Sequence, residues 1–289
     1  MTDPRVSAFE RLLHIVDRLR APDGCPWDRA QTEATMAPHL VEEALELIEA
    51  IEAGDADASA KELGDCLINV LLLARIAEDS GRYDLARSAS LAADKLVHRH
   101  PHVFGEAAAE TPAAVLETWE ALKRRERERA GEDSSALAGI PRTLPALQRA
   151  ARVCQKAVAA GFHWKDARGA FGKLEEELRE LTEVAPIAKL SAGTRPDLTE
   201  GERAAIEHEL GDVLLAAAFF GGYLGLDPEA LCRRAVRRFE ARYRHMEADL
   251  GGSLAGLDLD TMMAAWGRAK RALADDERHA RDTTAHDAT

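Results

Sequence analysis

Apolar residues recur along most of this chain at three- and four-residue intervals, the spacing that gathers them on one face of an α-helix. Over residues 37–53, Leu40, Ala44, Leu47, Ile48 and Ile51 form such a face, and Glu42, Glu43, Glu46, Glu49 and Glu52 fill the others. A polar turn at 55–57 follows. The next helix starts near Ala58 and carries Glu62 and Asp65 straight into CLINVLLLARIA, a run too apolar for a solvated surface helix. Upstream, a helix over 7–20 ends at Ala21-Pro22-Asp23-Gly24, where proline and glycine break the pattern. Downstream, a turn at 79–83 leads into a helix that reaches His98 and is stopped by His100-Pro101-His102. A further helix spans 111–129, with Pro112 at a favoured first position.

The second half replays the first. Residues 147–160 correspond to the opening helix, and Gly161-Phe162-His163-Trp164 stands where Gly24-Cys25-Pro26-Trp27 stood. A helix over 173–183 is acidic, the loop 185–199 is longer than its counterpart, and 207–224 again runs from acids into an apolar stretch. Alanine, leucine, glutamate and arginine dominate and β-branched runs are scarce, so the expected fold is all-α. The charge run KRRERERAGEDSS marks the boundary. The pattern predicts a first module over 1–130, a linker over 131–145, a second module over 146–274, and a disordered tail over 275–289 that lacks an apolar stripe.

Composition narrows the partners. A formal net charge of −13 argues against a surface for nucleic-acid polymers, which are held by clustered Lys and Arg. Cys25, Cys66, Cys154 and Cys232 are dispersed without metal or disulfide spacing, as expected of reduced thiols in a cytoplasmic protein. The N-terminal segment has charges within its apolar stretch and no signal-peptide cleavage pattern, and no segment approaches the ~20 apolar residues of a membrane span.

The repeat also carries chemistry. Glu42-Glu43-x-x-Glu46 followed by Glu62-x-x-Asp65 recurs as Glu176-Glu177-x-x-Glu180 followed by Glu209-x-x-Asp212. Like charges three or four residues apart share a helix face and repel by a few tenths of a kcal/mol per pair. A solvated face accounts for E-E-x-x-E alone, but E-x-x-D heading an apolar helix, duplicated in order, points to a compensating cation. An antiparallel helix pair would set Glu43 and Glu46 against Glu62 and Asp65, an oxygen-only set suited to Mg²⁺ or Mn²⁺. Such sites serve two-metal phosphoryl chemistry.

Bases and tryptophans recur in the same order. Lys95-x-x-x-Arg99-x-x-His102 matches Arg238-x-x-x-Arg242-x-x-His245, and Trp119-x-x-x-Lys123 matches Trp266-x-x-x-Lys270. The cations suit phosphate, while the tryptophans suit either a core position or stacking on a nucleobase. His98, His100 and His102 read best as a structural turn, since only His102 has a partner in the second copy. Asn69 stands one turn past Asp65 among apolar residues, where it would orient a water or cap a buried contact; Ala216 replaces it in the second copy.

These segments resemble the MazG family of nucleoside triphosphate pyrophosphohydrolases. The resemblance rests on GCPWDRAQT, LVEEALELIEAI, KELGDCLINVL, KLVHRHPHVFG and TWEALK, then on GFHW, KLEEELREL, HELGDVLLA, RRFEARYRHME and MMAAWGRAK. It implies two tandem modules, a helical bundle completed by dimerisation, and Mg²⁺-dependent (or Mn²⁺-dependent) hydrolysis of NTPs or dNTPs to the monophosphate and pyrophosphate. By the same resemblance the metal ligands are Glu43, Glu46, Glu62 and Asp65, with Glu177, Glu180, Glu209 and Asp212 in the second module. Glu42 and Glu176 would serve in an outer shell or take a proton from the water. Lys95, Arg99, Trp119 and Lys123, and then Arg238, Arg242, Trp266 and Lys270, would hold the nucleotide. Arg238 departs from the family's usual lysine, offering a fork in place of a point donor.

The expected chemistry is attack of a metal-activated water on the α-phosphorus. Two other functions are compatible with a helical, carboxylate-rich chain. A ferritin-like iron protein would need Glu-x-x-His pairs, which neither E-x-x-D motif supplies. A nucleotide-binding regulatory or interaction module, with one or both sites inactive, is the non-enzymatic alternative.

Overall fold

The structure is a computed structural model that describes residues 3–105, 111, 115, 118–119, 122–123, 125–127, 129, 131, 133, 135–185 and 197–286, with 275–286 described as backbone alone. The described residues are helices and turns, with no strand among them. The chain divides into two compact units, Met1–Gly131 and Glu132–Thr289.

The first unit contains α1 (Pro4–Arg20), α2 (Pro26–Ala30), α3 (Glu33–Ala53), α4 (Ala56–Asp79), α5 (Leu85–Arg99) and α6 (Pro101–Phe104). Helix α3 begins earlier than its apolar face indicates, because Thr32 and Thr35 form a reciprocal capping box that satisfies backbone donors ahead of Pro38. It ends at Gly54, whose φ of 72° is left-handed, and Asp55 then caps α4 through the Ala58 amide. This two-residue turn folds α3 and α4 side by side. Val16, Met36, Leu71, Leu72 and Ile76 form the buried core, with Leu12, Leu13, Ile68, Leu73 and Leu85 against it. Each such side chain contributes about 1.5–3 kcal/mol on burial.

Ion pairs fix α1 to the end of α4. Arg20 Nε lies 2.8 Å from Asp79, and Arg75 pairs with Asp79 at 3.0 Å, Glu78 at 2.9 Å and Asp17 at 3.5 Å. Arg20 also donates to the carbonyl of Asp28, drawing in the Gly-Cys-Pro-Trp loop. Within that loop a Cβ on Gly24 would lie 2.2 Å from the Leu19 carbonyl oxygen, so only glycine fits.

The second unit contains α7 (Ala146–Ala159), α8 (Ala167–Val184), α9 (Glu200–Tyr223), α10 (Pro228–Asp249) and α11 (Leu259–His286). Helix α9 starts at Glu200, ahead of the expected residue 207, because Thr199 and Glu202 form a second capping box. Helix α8 packs along α9, α7 covers α9, and α10 packs on α11 through Met246, Ala265 and Ala269 with Leu250, Leu254, Met262 and Trp266. Ala138 is buried in this unit, its carbonyl accepting from Lys156 at 2.8 Å. The expected disordered tail falls on residues whose side chains, and for 287–289 also the backbone, lie outside those described. Among the described residues, no single helix is long and apolar enough to cross a membrane.

Candidate metal and nucleotide site

The α3–α4 pair brings carboxylates from the two motifs of the first unit together. One oxygen from each of Glu43, Glu62 and Asp65 lies within 4.8 Å of the others. Glu46, one turn past Glu43, stands close enough to Glu62 for the two carboxylates to interact. Loss of water first, then the charges of Glu43, Glu62 and Glu42, raises the Glu46 carboxyl above the ordinary range. Glu62 is only 12% exposed, and its Oε2 is buried with no hydrogen-bond partner. A buried, unpartnered carboxylate oxygen amid other carboxylates is costly unless a cation meets it. The donors are all oxygens, and the set fits Mg²⁺ or Mn²⁺.

The second unit assembles a similar cluster from Glu177, Glu180 and Glu209, with Glu177 buried. Glu180 parallels Glu46: loss of water, then Glu177, Glu176 and Glu209, raises its carboxyl. Asp212 is not one of this triad, and its Oδ2 lies 3.6 Å from His208 Nε2. The leading acids also differ. Glu42 is exposed, 3.7 Å from His39, whereas Glu176 accepts from Lys173 at 2.9 Å, which holds its carboxyl below the usual range.

Asn69 is buried, and its Nδ2 donates to the Asp65 carbonyl at 3.1 Å, leaving Oδ1 without a partner. The amide therefore tethers the turn that carries Asp65. Ala216 is buried at the matching place. The Cys66 thiol, next to Asp65, is pushed up by loss of water and then by Glu43, Asp65 and Glu62. None of the four cysteines is in a disulfide.

Of the basic set in the first unit, Arg99 is 17% exposed and donates through Nε and Nη2 to Glu126. Arg99 first, then His98 and Lys95, holds the Glu126 carboxyl below its usual range despite partial burial. Trp119 meets His100 edge to face at 5.0 Å, and Lys123 Nζ lies 5.4 Å from the Trp119 ring centre. His100 Nδ1 is 2.7 Å from the Leu96 carbonyl, so this histidine builds the helix end.

In the second unit, Arg238 and Arg242 lie one turn apart on α10, and Trp266 and Lys270 one turn apart on the adjoining α11. Trp266 packs on Phe239 at 5.1 Å. Arg238, Arg242 and Lys270 make no ion pair among the described residues. Both units keep the basic and acidic sets on different helices.

Glu126, Lys173 and Lys61 join the acidic and basic sets only in the structure. Lys173–Glu177 and Lys61–Asp65 have the i, i+4 spacing that would have revealed them. Glu126 carries no such local signal, since its partner lies 27 residues away.

Comparison with known proteins places these features in a family. The model of the MazG nucleotide pyrophosphohydrolase domain matches residues 31–104, which include the first acidic cluster. The nucleoside triphosphate pyrophosphohydrolase of Escherichia coli K12 is 38% identical over 270 residues, covering 92% of this chain and 98% of that protein. The nucleoside triphosphate pyrophosphohydrolase/pyrophosphatase MazG of Thermotoga maritima is 36% identical, covering 91% and 95%. An uncharacterized Bacillus subtilis protein, YabN, is 34% identical over 91% of this chain and 51% of its own length. With similarity running nearly end to end through both E. coli and T. maritima relatives, this chain belongs to the MazG nucleotide pyrophosphohydrolase family.

Proposed function

We propose that this chain is a metal-dependent nucleoside triphosphate pyrophosphohydrolase, converting NTP or dNTP and water to the monophosphate and pyrophosphate by attack at the α-phosphorus. The observation that carries this reading is the convergence of Glu43, Glu62 and Asp65 with an unpartnered, buried Glu62 oxygen. It agrees with the activity named for the E. coli and T. maritima relatives.

Glu43, Glu46, Glu62 and Asp65 would hold Mg²⁺ or Mn²⁺, and Glu177, Glu180, Glu209 and Asp212 would do so in the second module. A divalent ion there supplies positive charge to phosphate oxygens and acidifies the attacking water. Glu42, open to solvent, is the better placed of the two leading acids to accept that proton, because Glu176 already accepts from Lys173. Arg238, Arg242 and Lys270 would neutralise the triphosphate and the departing pyrophosphate, with Trp266 beside the base. In the first module Lys95, Arg99, Trp119 and Lys123 take these roles, with Arg99 engaged by Glu126.

The working assembly in this proposal is a cytoplasmic homodimer. Val41, Leu45, Leu63, Leu67 and Val70 stand exposed on α3 and α4 at helical spacing, an apolar stripe that a second copy would cover. A second reading gives one module a binding role without turnover, favoured by the Arg99–Glu126 pair.

Glu43→Ala, Glu177→Ala and the double variant, assayed across NTPs and dNTPs with Mg²⁺ and after chelation, test the site assignment. Chelation and the double substitution are expected to abolish turnover, and the single variants to identify the working cluster. Full activity in the double variant would remove the carboxylates from the mechanism.

A further inference from the structure

The two acidic clusters differ in which helix supplies the neighbouring cation. In the first unit His39 stands four residues before Glu43 on α3, and Lys61 four before Asp65 on α4. In the second unit the pair is exchanged, with Lys173 four before Glu177 on α8 and His208 four before Asp212 on α9. The exchange changes what each lysine holds. Lys61 Nζ lies 2.8 Å from Glu62 and 3.6 Å from Asp65, on a side chain that is 70% exposed. Lys173 Nζ lies 2.6 Å from Glu177 and 2.9 Å from Glu176, on a side chain that is 39% exposed, and the Glu177 side chain is 8% exposed.

Each lysine pairs with a largely buried carboxylate, Glu62 at 12% and Glu177 at 8% exposed, but the Lys61 side chain is the more open to water, so its charge is screened more and an incoming ion displaces it more readily. Lys173 is less exposed and held within 3 Å by two carboxylates, where screening is weaker. Glu177 is the buried member of the Glu177, Glu180, Glu209 triad, so Lys173 puts a fixed positive charge on the ligand where a cation would gain most. The two carboxylates in turn stabilise its charged form, Glu177 most strongly.

We propose that Lys173 is a tethered counter-ion that occupies the electrostatic place of a divalent cation at Glu177 and sets the affinity of the second cluster below that of the first. The proposal rests on the metal-binding reading of the clusters. It makes the modules load at different metal concentrations, and loading of the second requires the flexible Lys173 stem to swing away from Glu177.

Binding of Mn²⁺ to the full chain, followed by the electron paramagnetic resonance signal of the free ion, tests this without reference to activity. Two classes of site are expected: a tighter one lost in Glu43→Gln and a weaker one lost in Glu177→Gln. Lys173→Met is expected to tighten the weaker class on the order of tenfold or more, and Lys61→Met to change the tighter class less. Lys173→Arg keeps the charge and is expected to keep the weak class, which separates loss of charge from a disturbed helix. The proposal is overturned if Lys173→Met leaves the weaker class unchanged or loosens it, or if the tighter class is the one lost in Glu177→Gln. Absence of any class sensitive to Glu43→Gln or Glu177→Gln would instead overturn the metal-binding reading itself.

Discussion

Arg99 donates through Nε and Nη2 to the carboxylate of Glu126, tying the end of α5 to the segment that carries Trp119 and Lys123. Seven residues past Trp119 the chain has Glu126, and seven past Trp266 it has Leu273. The second module thus has no carboxylate at the matching place, and the two basic sets present different charge to an anion.

The Arg99–Glu126 pair gives a pH dependence with a definite sign. Its folded-state carboxyl is lowered, so the stabilisation is fully present above the unfolded glutamate value, about 4.3, and lost as pH falls through the lower folded value. Glu126→Gln is therefore expected to reduce stability near neutral pH, by no more than about 1 kcal/mol given solvent screening, and to match the parent in acid. Urea unfolding at several pH values checks this. A difference that grows on acidification would contradict it.

Gly24→Ala is expected to destabilise the first unit by about 1–3 kcal/mol, because the new methyl would lie 2.2 Å from the Leu19 carbonyl oxygen and 2.5 Å from that of Arg18. Backbone oxygens cannot swing aside as a side chain would. Thermal unfolding followed by circular dichroism reads the loss, and an unchanged midpoint would show that the loop has room to relax.

The proposed homodimer has its own test. Leu67 lies exposed between Leu63 and Val70 on one stripe of α4, so Leu67→Lys places a charge at the centre of the surface that a second copy would cover. Sedimentation velocity should show a dimer for the parent chain and a monomer for the variant. A parent chain that sediments as a monomer at micromolar concentration, or a variant that remains dimeric, would place the interface elsewhere or remove it.

The helical architecture was legible because apolar spacing and the punctuation at Gly24, the 55–57 turn and His100-Pro101 are local signals. Helix starts were less so. Pro38 and the polar 200–206 stretch masked the first turns of α3 and α9, which capping boxes at Thr32 and Thr199 hold in place. The acidic motifs indicated which carboxylates share a face and that Glu43 and Glu46 would meet Glu62 and Asp65, but not that Glu43, Glu62 and Asp65 would converge in the first unit and Glu177, Glu180 and Glu209 in the second. Those details depend on how two helices rotate against each other. Likewise, the i, i+4 pattern marks Lys173 as a partner of Glu177, whereas the burial that gives this pair its weight is set by packing.

The most direct test of the central claim is hydrolysis of a nucleoside triphosphate in ¹⁸O-labelled water, with the products separated and weighed by mass spectrometry. Attack at the α-phosphorus predicts monophosphate and pyrophosphate, with the label in the monophosphate. Label in the pyrophosphate, or release of orthophosphate and diphosphate, would contradict the account.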